Sequence, residues 1–267
     1  MNLLFIGDVV GCSGRQTVIE AIPELRREFK CDFVIVNAEN IAAGSGMTAK
    51  CVRQFDGYAD VITSGDHVWD QKGFENEISN LPNVLRPANF QRDQPGQGWK
   101  VFAHPGGGRI AVINLLGKVF MRDSAYCPFE TVEEILKQLP VEVKTIVVDF
   151  HAEASSEKMA MGYFLDGKVT AVLGTHTHVQ TADAKILPGG TAFISDTGMV
   201  GAEYSVLGRT VESVLDKFRS GMPRRLPVAD GPVRLDSVVV TYNPDDGRAV
   251  AIQNISRIFK DETKELI

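Results

Sequence analysis

The sequence predicts an α/β protein in which two mixed β-sheets lie face to face with helices outside them. Three observations carry that expectation. Apolar, β-rich runs alternate with helical periodicity before and after a central stretch rich in Pro, Gly and Gln, and the chain closes on two long strand-like runs around a turn. Helices on the outer faces bury the remaining apolar side of each sheet. At 267 residues and 44% apolar content the chain can build a substantial core. No linker-like stretch divides it, so residues 1–267 are expected to form one domain.

The elements follow in order. Asn2 to Gly7 (NLLFIG) is a strand that runs into Asp8 and a turn at Gly11. Arg15 to Lys30 has helical spacing, and Pro23 within it predicts a kink or a break, because its ring removes an N–H and collides with the preceding turn. Asp32 to Val36 is a second strand, emptying into Asn37, Ala38, Glu39 and Asn40. The loop Ala43-Gly44-Ser45-Gly46 and a short helix over Thr48 to Asp56 lead to a third strand, Ala59 to Thr63, which ends at Ser64-Gly65-Asp66-His67. Residues 81–108 read as loops and a hairpin edge, with Gly106-Gly107-Gly108 turning into a strand over Arg109 to Leu116. Phe129 to Leu139 is an amphipathic helix and Lys144 to Phe150 a strand finishing at His151. Ser155 to Leu165 is a helix with Ser155 or Ser156 as its cap and Gly167 at its end. Val169 to Leu173 forms a strand running into Gly174-Thr175-His176-Thr177-His178. Asp183 to Leu187 and Thr191 to Ile194 flank a Pro188-Gly189-Gly190 turn, Arg209 to Ser220 is a helix, and Leu235 to Tyr242 with Arg248 to Ile255 makes the last hairpin.

Bulk properties exclude several functions. A net charge of −6 and a pI near 5.4 argue against a stable nucleic-acid complex, which needs a basic surface to neutralise phosphates. A small anion held through metal is compatible with them. Cys12, Cys31, Cys51 and Cys127 form no C-x-x-C pair, and the N-terminus lacks the basic segment and long apolar core of an export signal. The expected location is therefore the cytoplasm. No run approaches the roughly 20 apolar residues of a membrane helix, and a homo-oligomer is compatible with the sequence.

The chemistry gathers at strand ends. Four of the five histidines, all but His104, follow β-rich runs, and strand ends of α/β sheets are where ligands bind. His176 and His178 are two apart, so an extended backbone would project both rings to one side, to grip one ion or one each of an adjacent pair. An isolated H-x-H is common in loops. Here it joins Asp8, Glu39, Asn40, Asp66, His67 and His151. Carboxylates, imidazoles and an amide without thiolate suit Mn, Fe or Zn, and so many ligands exceed one tetrahedral ion and suit two. Two such ions, about 3.5–4 Å apart and bridged by a carboxylate and a water, generate hydroxide at neutral pH for in-line attack on phosphorus.

The series GDVVG, NAEN, SGDHVWD, DFHAEASSEK and GTHTHVQTAD resembles the calcineurin-like metallophosphoesterases, most closely the bacterial YmdB-like branch, whose members act on 2′,3′-cyclic nucleotides. The likeness runs from residue 1 to about residue 260. It implies a four-layer α/β/β/α sandwich of two mixed sheets and metal-dependent hydrolysis of a phosphodiester in a small nucleotide. It implies that Asp8, Glu39 and His178 hold one divalent ion, and Glu39, Asn40, Asp66, His151 and His176 the other, iron or manganese before zinc. His67 then corresponds to the proton donor to the leaving oxygen. A phosphomonoesterase with the same site, or a metal-binding regulatory protein, is the alternative. Two positions depart from the wider pattern. Val10 stands where the superfamily's Asp-x-His has a histidine, a loss the YmdB-like branch shares. Asp66 stands where the asparagine of Gly-Asn-His is usual, so that roughly +4 from two divalent ions meets about −3 from Asp8, Glu39 and Asp66 and −1 from hydroxide, where Asn would leave about +1.

Other features have plainer readings. Gly7, Gly11 and Gly14 lack the dinucleotide spacing. Glu153 reads as a charge at a helix N-terminus, Thr197-Gly198-Met199 as pocket lining, His104 as a surface or loop-packing residue, Arg224 and Arg225 as solvated, and Trp69 and Phe120 as core.

Overall fold

The computed structural model describes residues 1–104, 107–122 and 124–260; Gly106 of the expected triple-glycine turn lies outside them. One sheet is built from β1 (Asn2–Ile6), β2 (Asp8–Val9), β3 (Phe33–Asn37), β4 (Val61–Thr63), β11 (Met199–Ala202), β12 (Val233–Tyr242) and β13 (Ala249–Phe259). Its order is β2-β11-β12-β1-β3-β4, with β13 on β12. The other contains β5 (Trp99–Ala103), β6 (Arg109–Leu116), β7 (Thr145–His151), β8 (Ala171–Thr175), β9 (Lys185–Ile186) and β10 (Ala192–Ile194), in the order β5-β6-β7-β8-β10-β9. Both sheets are mixed, as expected.

Strand alternation sets the layers. Leu3 and Phe5 of β1, with Phe33 and Ile35 of β3, face Ile110, Val112, Val147, Leu173 and Ile194 of the other sheet. Leu4, Ile6, Val34 and Val36 point the opposite way, onto Val18, Ile22 and Leu25 of α1 (Gly11–Phe29). On the far side Ile113, Val148, Val172 and Phe193 meet α4 (Pro128–Gln138) through Val132 and Ile135, and α5 (Ser155–Leu165) through Met161 and Leu165. The result is the four-layer α/β/β/α sandwich. Strands β1, β3 and β4 are mutually parallel, as are β6, β7, β8 and β10, so their carboxyl ends collect at one edge.

Three local expectations change. Helix α1 starts at Gly11 and runs unbroken through Pro23, which lies on its solvent face while Val18, Ile22 and Leu25 stay buried; packing of that stripe outweighs the roughly 3 kcal/mol cost of an interior proline. The cap of α5 is Ala154, with no side-chain hydrogen bond, and Ser155 and Ser156 sit in the first turn. The helix expected over residues 48–56 is only α2 (Ala49–Val52), capped by the Thr48 hydroxyl accepting from Cys51 N–H, followed by a 3-10 turn. Among the described residues no helix is long and apolar enough to cross a membrane.

Candidate metal centre

Each strand end delivers one part of the site. Asp8 opens β2, and its N–H donates to Gly198 O (3.0 Å) beside β11. Thr197, Gly198 and Met199 therefore back Asp8 and do not line the cavity. After β3, Asn37 Oδ1 accepts the Glu39 N–H (3.1 Å) and turns that carboxylate inward. Asp66 and His67 follow β4 across Gly65, where a Cβ would fall 2.2 Å from Glu39 Oε2 and 2.3 Å from His151 Nε2. Only glycine lets the chain pass there. His151 ends β7. His176 and His178 follow β8 at φ 99° and 62°, a region L-residues adopt at a cost of about 1–3 kcal/mol that is commonly held at functional sites. The backbone is thus not extended, and the two rings separate.

They go to different groups. Atoms of Glu39, Asp66, His151 and His176 lie within 4.8 Å of one another, as do atoms of Asp8, Glu39 and His178, with Glu39 common to both. Asn40 stands beside the second group, its Oδ1 3.0 Å from His178 Nε2, where the resemblance grouped it with His151 and His176.

Proton accounting shows what this arrangement lacks. The Thr175 hydroxyl donates to Asp149 Oδ1 (2.7 Å), so toward His151 Nδ1 (2.9 Å) it can only accept, and His151 Nε2 is left with its lone pair. His176 turns Nε2 toward Glu153 (3.3 Å) and Nδ1 toward His151 (3.0 Å). His178 donates through Nδ1 to Leu207 O (3.3 Å), which leaves Nε2. These inner nitrogens face further acceptors. His151 Nε2 is 3.0 Å from His176 Nδ1, 3.1 Å from Glu39 Oε2 and 3.2 Å from Asp66 Oδ1. Asp8 Oδ2 takes the His176 N–H (3.0 Å), while Asp8 Oδ1 is buried with no hydrogen-bond partner. With His151 neutral, lone pairs converge on these positions, and cations satisfy such a set. Imidazoles fixed through their outer nitrogens are the usual form of metal-ligating histidines.

The electrostatics show the same demand for positive charge: against the opposing effect of burial, Glu39 and Asp66 raise the His151 imidazole well above its ordinary value, so that a proton sits where a cation would take its place. Burial pushes the Asp8 carboxyl well above the usual carboxylate range. Burial also opposes charge on Glu39 and Asp66, but the His151 imidazole outweighs it and holds both below their ordinary values. His176 is pushed down to about 4 by burial and by His151 beside it. His178 is lowered chiefly by burial.

His67 stands at the rim. Its Nδ1 lies 2.7 Å from Asp70 Oδ2, to which the Ser45 hydroxyl also donates. Burial works against a charge on this ring, and Glu39, Asp66 and Asp70 together raise its pKa. A cavity of about 310 Å³ opens above, lined by His67, Glu153, His176, His178, Leu207 and Arg209 among others. Glu153, directly before the Ala154 cap of α5, also lies beside His176 in this wall. Phe120, expected in the core, is 85% exposed, whereas His104 is buried against Phe33 and Tyr242, far from any role here. Sequence reasoning missed Asp70 and Arg209 and read Glu153 as a helix-terminal charge; Asp70, one turn beyond His67, and Glu153, two residues beyond His151, both lay within quoted motifs.

A family model described as YmdB-like protein matches residues 4–255. The chain is 43% identical over 256 residues to the 2′,3′-cyclic-nucleotide 2′-phosphodiesterase of Bacillus subtilis (strain 168), covering 96% of each. Two crystal structures are similar throughout. One is of a Thermus thermophilus protein, with 35% identity and a TM-score of 0.90 over 97% of this chain and 100% of that one. The other is of a Mycoplasma pneumoniae phosphatase, with 31% identity and a TM-score of 0.89 over 98% and 95%.

Proposed function

Because the chain belongs to the YmdB-like family, we propose that it hydrolyses a phosphodiester bond in small nucleotides, 2′,3′-cyclic nucleoside monophosphates first among them, with two divalent ions. The observation that carries this reading is the convergence of carboxylates and inward imidazole nitrogens beneath one cavity, in two groups that share Glu39 and with Asp8 Oδ1 buried and unpartnered. Asp8, Glu39, Asn40 and His178 would hold one ion, and Glu39, Asp66, His151 and His176 the other. Iron or manganese suits these donors, and zinc is compatible. Bound there, the ions supply a lowered pKa for water and positive charge toward the phosphoryl oxygens.

The chain's own residues do the rest. Thr175 and Leu207 orient His151 and His178 through their outer nitrogens, and Glu153 lies 3.3 Å from the outer nitrogen of His176. Asp70 takes the Nδ1–H of His67. That leaves Nε2 to carry a proton to the departing alkoxide. For a cyclic substrate the balance is simple. Water's oxygen bonds to phosphorus, one ribose P–O bond breaks, and the freed ribose oxygen takes the proton, giving a monophosphate. The activity belongs to one cytoplasmic domain over residues 1–267, acting on a free nucleotide.

The test is turnover of 2′,3′-cyclic AMP and bis(p-nitrophenyl) phosphate with added manganese, abolished by chelation and by Glu39→Gln. Preferential turnover of p-nitrophenyl phosphate would replace the diesterase with a phosphomonoesterase. A metal-loaded protein that cleaves neither ester would leave only a binding role.

A further inference from the structure

Arg209 is a cation in the cavity wall that the metal donors leave unexplained. It closes the turn Val206–Arg209, whose ends exchange backbone hydrogen bonds of 2.9 and 3.0 Å. The same turn carries the Leu207 carbonyl that fixes His178. One four-residue turn therefore sets both an inward imidazole and this guanidinium.

Among the described residues Arg209 has no partner that neutralises it. Nη1 donates to Leu226 O (2.9 Å) and to Ala43 O (3.4 Å), and Nη2 donates to Gly44 O. All three acceptors are neutral carbonyls. Arg86 likewise donates to three carbonyls, but it lies away from this cavity, whereas Arg209 lines it beside His67, His176 and His178. A guanidinium carries five N–H groups, so three carbonyls leave two donors, that on Nε among them, and the whole positive charge. Gly44 sits at φ +85°, and a Cβ there would fall 2.5 Å from Nη1, so the glycine is what lets the loop lie on the guanidinium.

A purely mechanical role fits less well. The loop is already held from its other side by Gln71, whose Nε2 donates to Ala42 O (3.3 Å) and Ser45 O (2.6 Å). A charge half-buried beside a cation-binding site is costly unless an anion arrives to meet it. Gly44, His67, His176 and His178 line the same cavity, so an anion over the metal donors comes within the domain of this side chain.

We propose that Arg209 binds the phosphoryl oxyanion of the substrate, orienting it over the metal donors and supplying the positive charge that Asp66 in place of asparagine removes. The identity of the ester rests on the hydrolase reading; the anion site does not. Arginine is the residue type for such a task, since its planar fork offers two parallel donors to two phosphoryl oxygens.

The experiment titrates manganese-loaded wild type, Arg209→Gln and Arg209→Lys with inorganic phosphate by calorimetry. It also measures kcat and KM for 2′,3′-cyclic AMP, with manganese content determined by elemental analysis. In Arg209→Gln phosphate binding is expected to weaken about 10- to 100-fold and KM to rise by a similar factor, the loss of a charge-assisted contact. The smaller change is expected in kcat, and manganese content is expected to hold. Arg209→Lys, which keeps the charge but not the fork, falls between and covers the case in which the Gln variant does not fold. Phosphate affinity and KM both within about two-fold of wild type would overturn the assignment. So would a fall in kcat with phosphate affinity untouched, the outcome of a loosened loop disturbing Ser45 and His67. A wild type that binds phosphate through Arg209 yet cleaves no diester would contradict the hydrolase and leave the anion site standing.

Discussion

His67 and Asp66 are neighbours with opposite tasks. His67→Ala is expected to lower kcat about 10²- to 10⁴-fold with metal content unchanged, the range for loss of a general acid. Asp70→Asn, which removes the carboxylate on His67 Nδ1, is expected to cost about 10- to 100-fold. Comparing kcat with metal content separates both from loss of the ions. Asp66→Asn removes a negative charge from beside them. Metal affinity should fall, and the acid limb of the pH–rate profile should move to lower pH, because a more positive site favours the deprotonated form of water. If affinity and profile both stay put, the charge argument is lost. The metal donors were legible in the sequence because carboxylates and imidazoles at the ends of β-rich runs have few structural reasons to be there. Arg209 was not. It reads as the first residue of a helix, and its contacts with Ala43 and Gly44 span 166 and 165 residues of chain. Glu153 was hidden in the same way, since position alone cannot reveal a partner brought by another strand.

The turn after β8 depends on an element that carries no ligand. Lys158 of α5 reaches beneath it to Asp196, with Nζ–Oδ2 2.7 Å, and the two are only 2% and 1% exposed. The same Asp196 oxygen accepts the Thr177 N–H (3.0 Å), between the two histidines, and Oδ1 accepts the Gly198 N–H (2.9 Å) behind Asp8. Lys158→Met would leave a buried carboxylate unpaired, at a cost of about 3–5 kcal/mol. Urea unfolding should register that loss, and metal affinity should drop with it because the strained turn loses its support. An unchanged midpoint would show that Asp196 finds another counterion. At this scale the long helices and the hairpins were readable, since apolar spacing needs ten or so residues to declare itself. Two-residue β2 and four-residue β11 are too short to alternate visibly; β2 exists through pairing with β11, Met199 opposite Asp8, and β11 through pairing with β12.

The layers were readable because β1 and β3 are apolar on both faces, which requires cover on both sides. What could not be read was the content of the layer between the sheets. His104 lies there, stacked on Phe33 with ring centroids 5.8 Å apart and 2.9 Å from the Tyr242 hydroxyl. Burial lowers its pKa, with Asp32 and Asp60 only partly offsetting the effect. The folded state therefore takes up this proton at lower pH than the unfolded chain, whose histidine titrates near about 6.5. Stability from this group is full above that value and declines as pH falls toward the folded pKa. His104→Phe should accordingly narrow the difference in urea stability between about pH 7.5 and 5.5; an identical pH dependence in wild type and variant would assign the acid sensitivity elsewhere.

The central proposal is a pair of divalent cations held by two groups of donors that share Glu39. The most direct measurement is anomalous diffraction from crystals grown with manganese. The expected result is two peaks about 3.5–4 Å apart, one among Asp8, Glu39, Asn40 and His178 and one among Glu39, Asp66, His151 and His176. A lone peak with no space for a second, or ions bound away from Glu39, would contradict it.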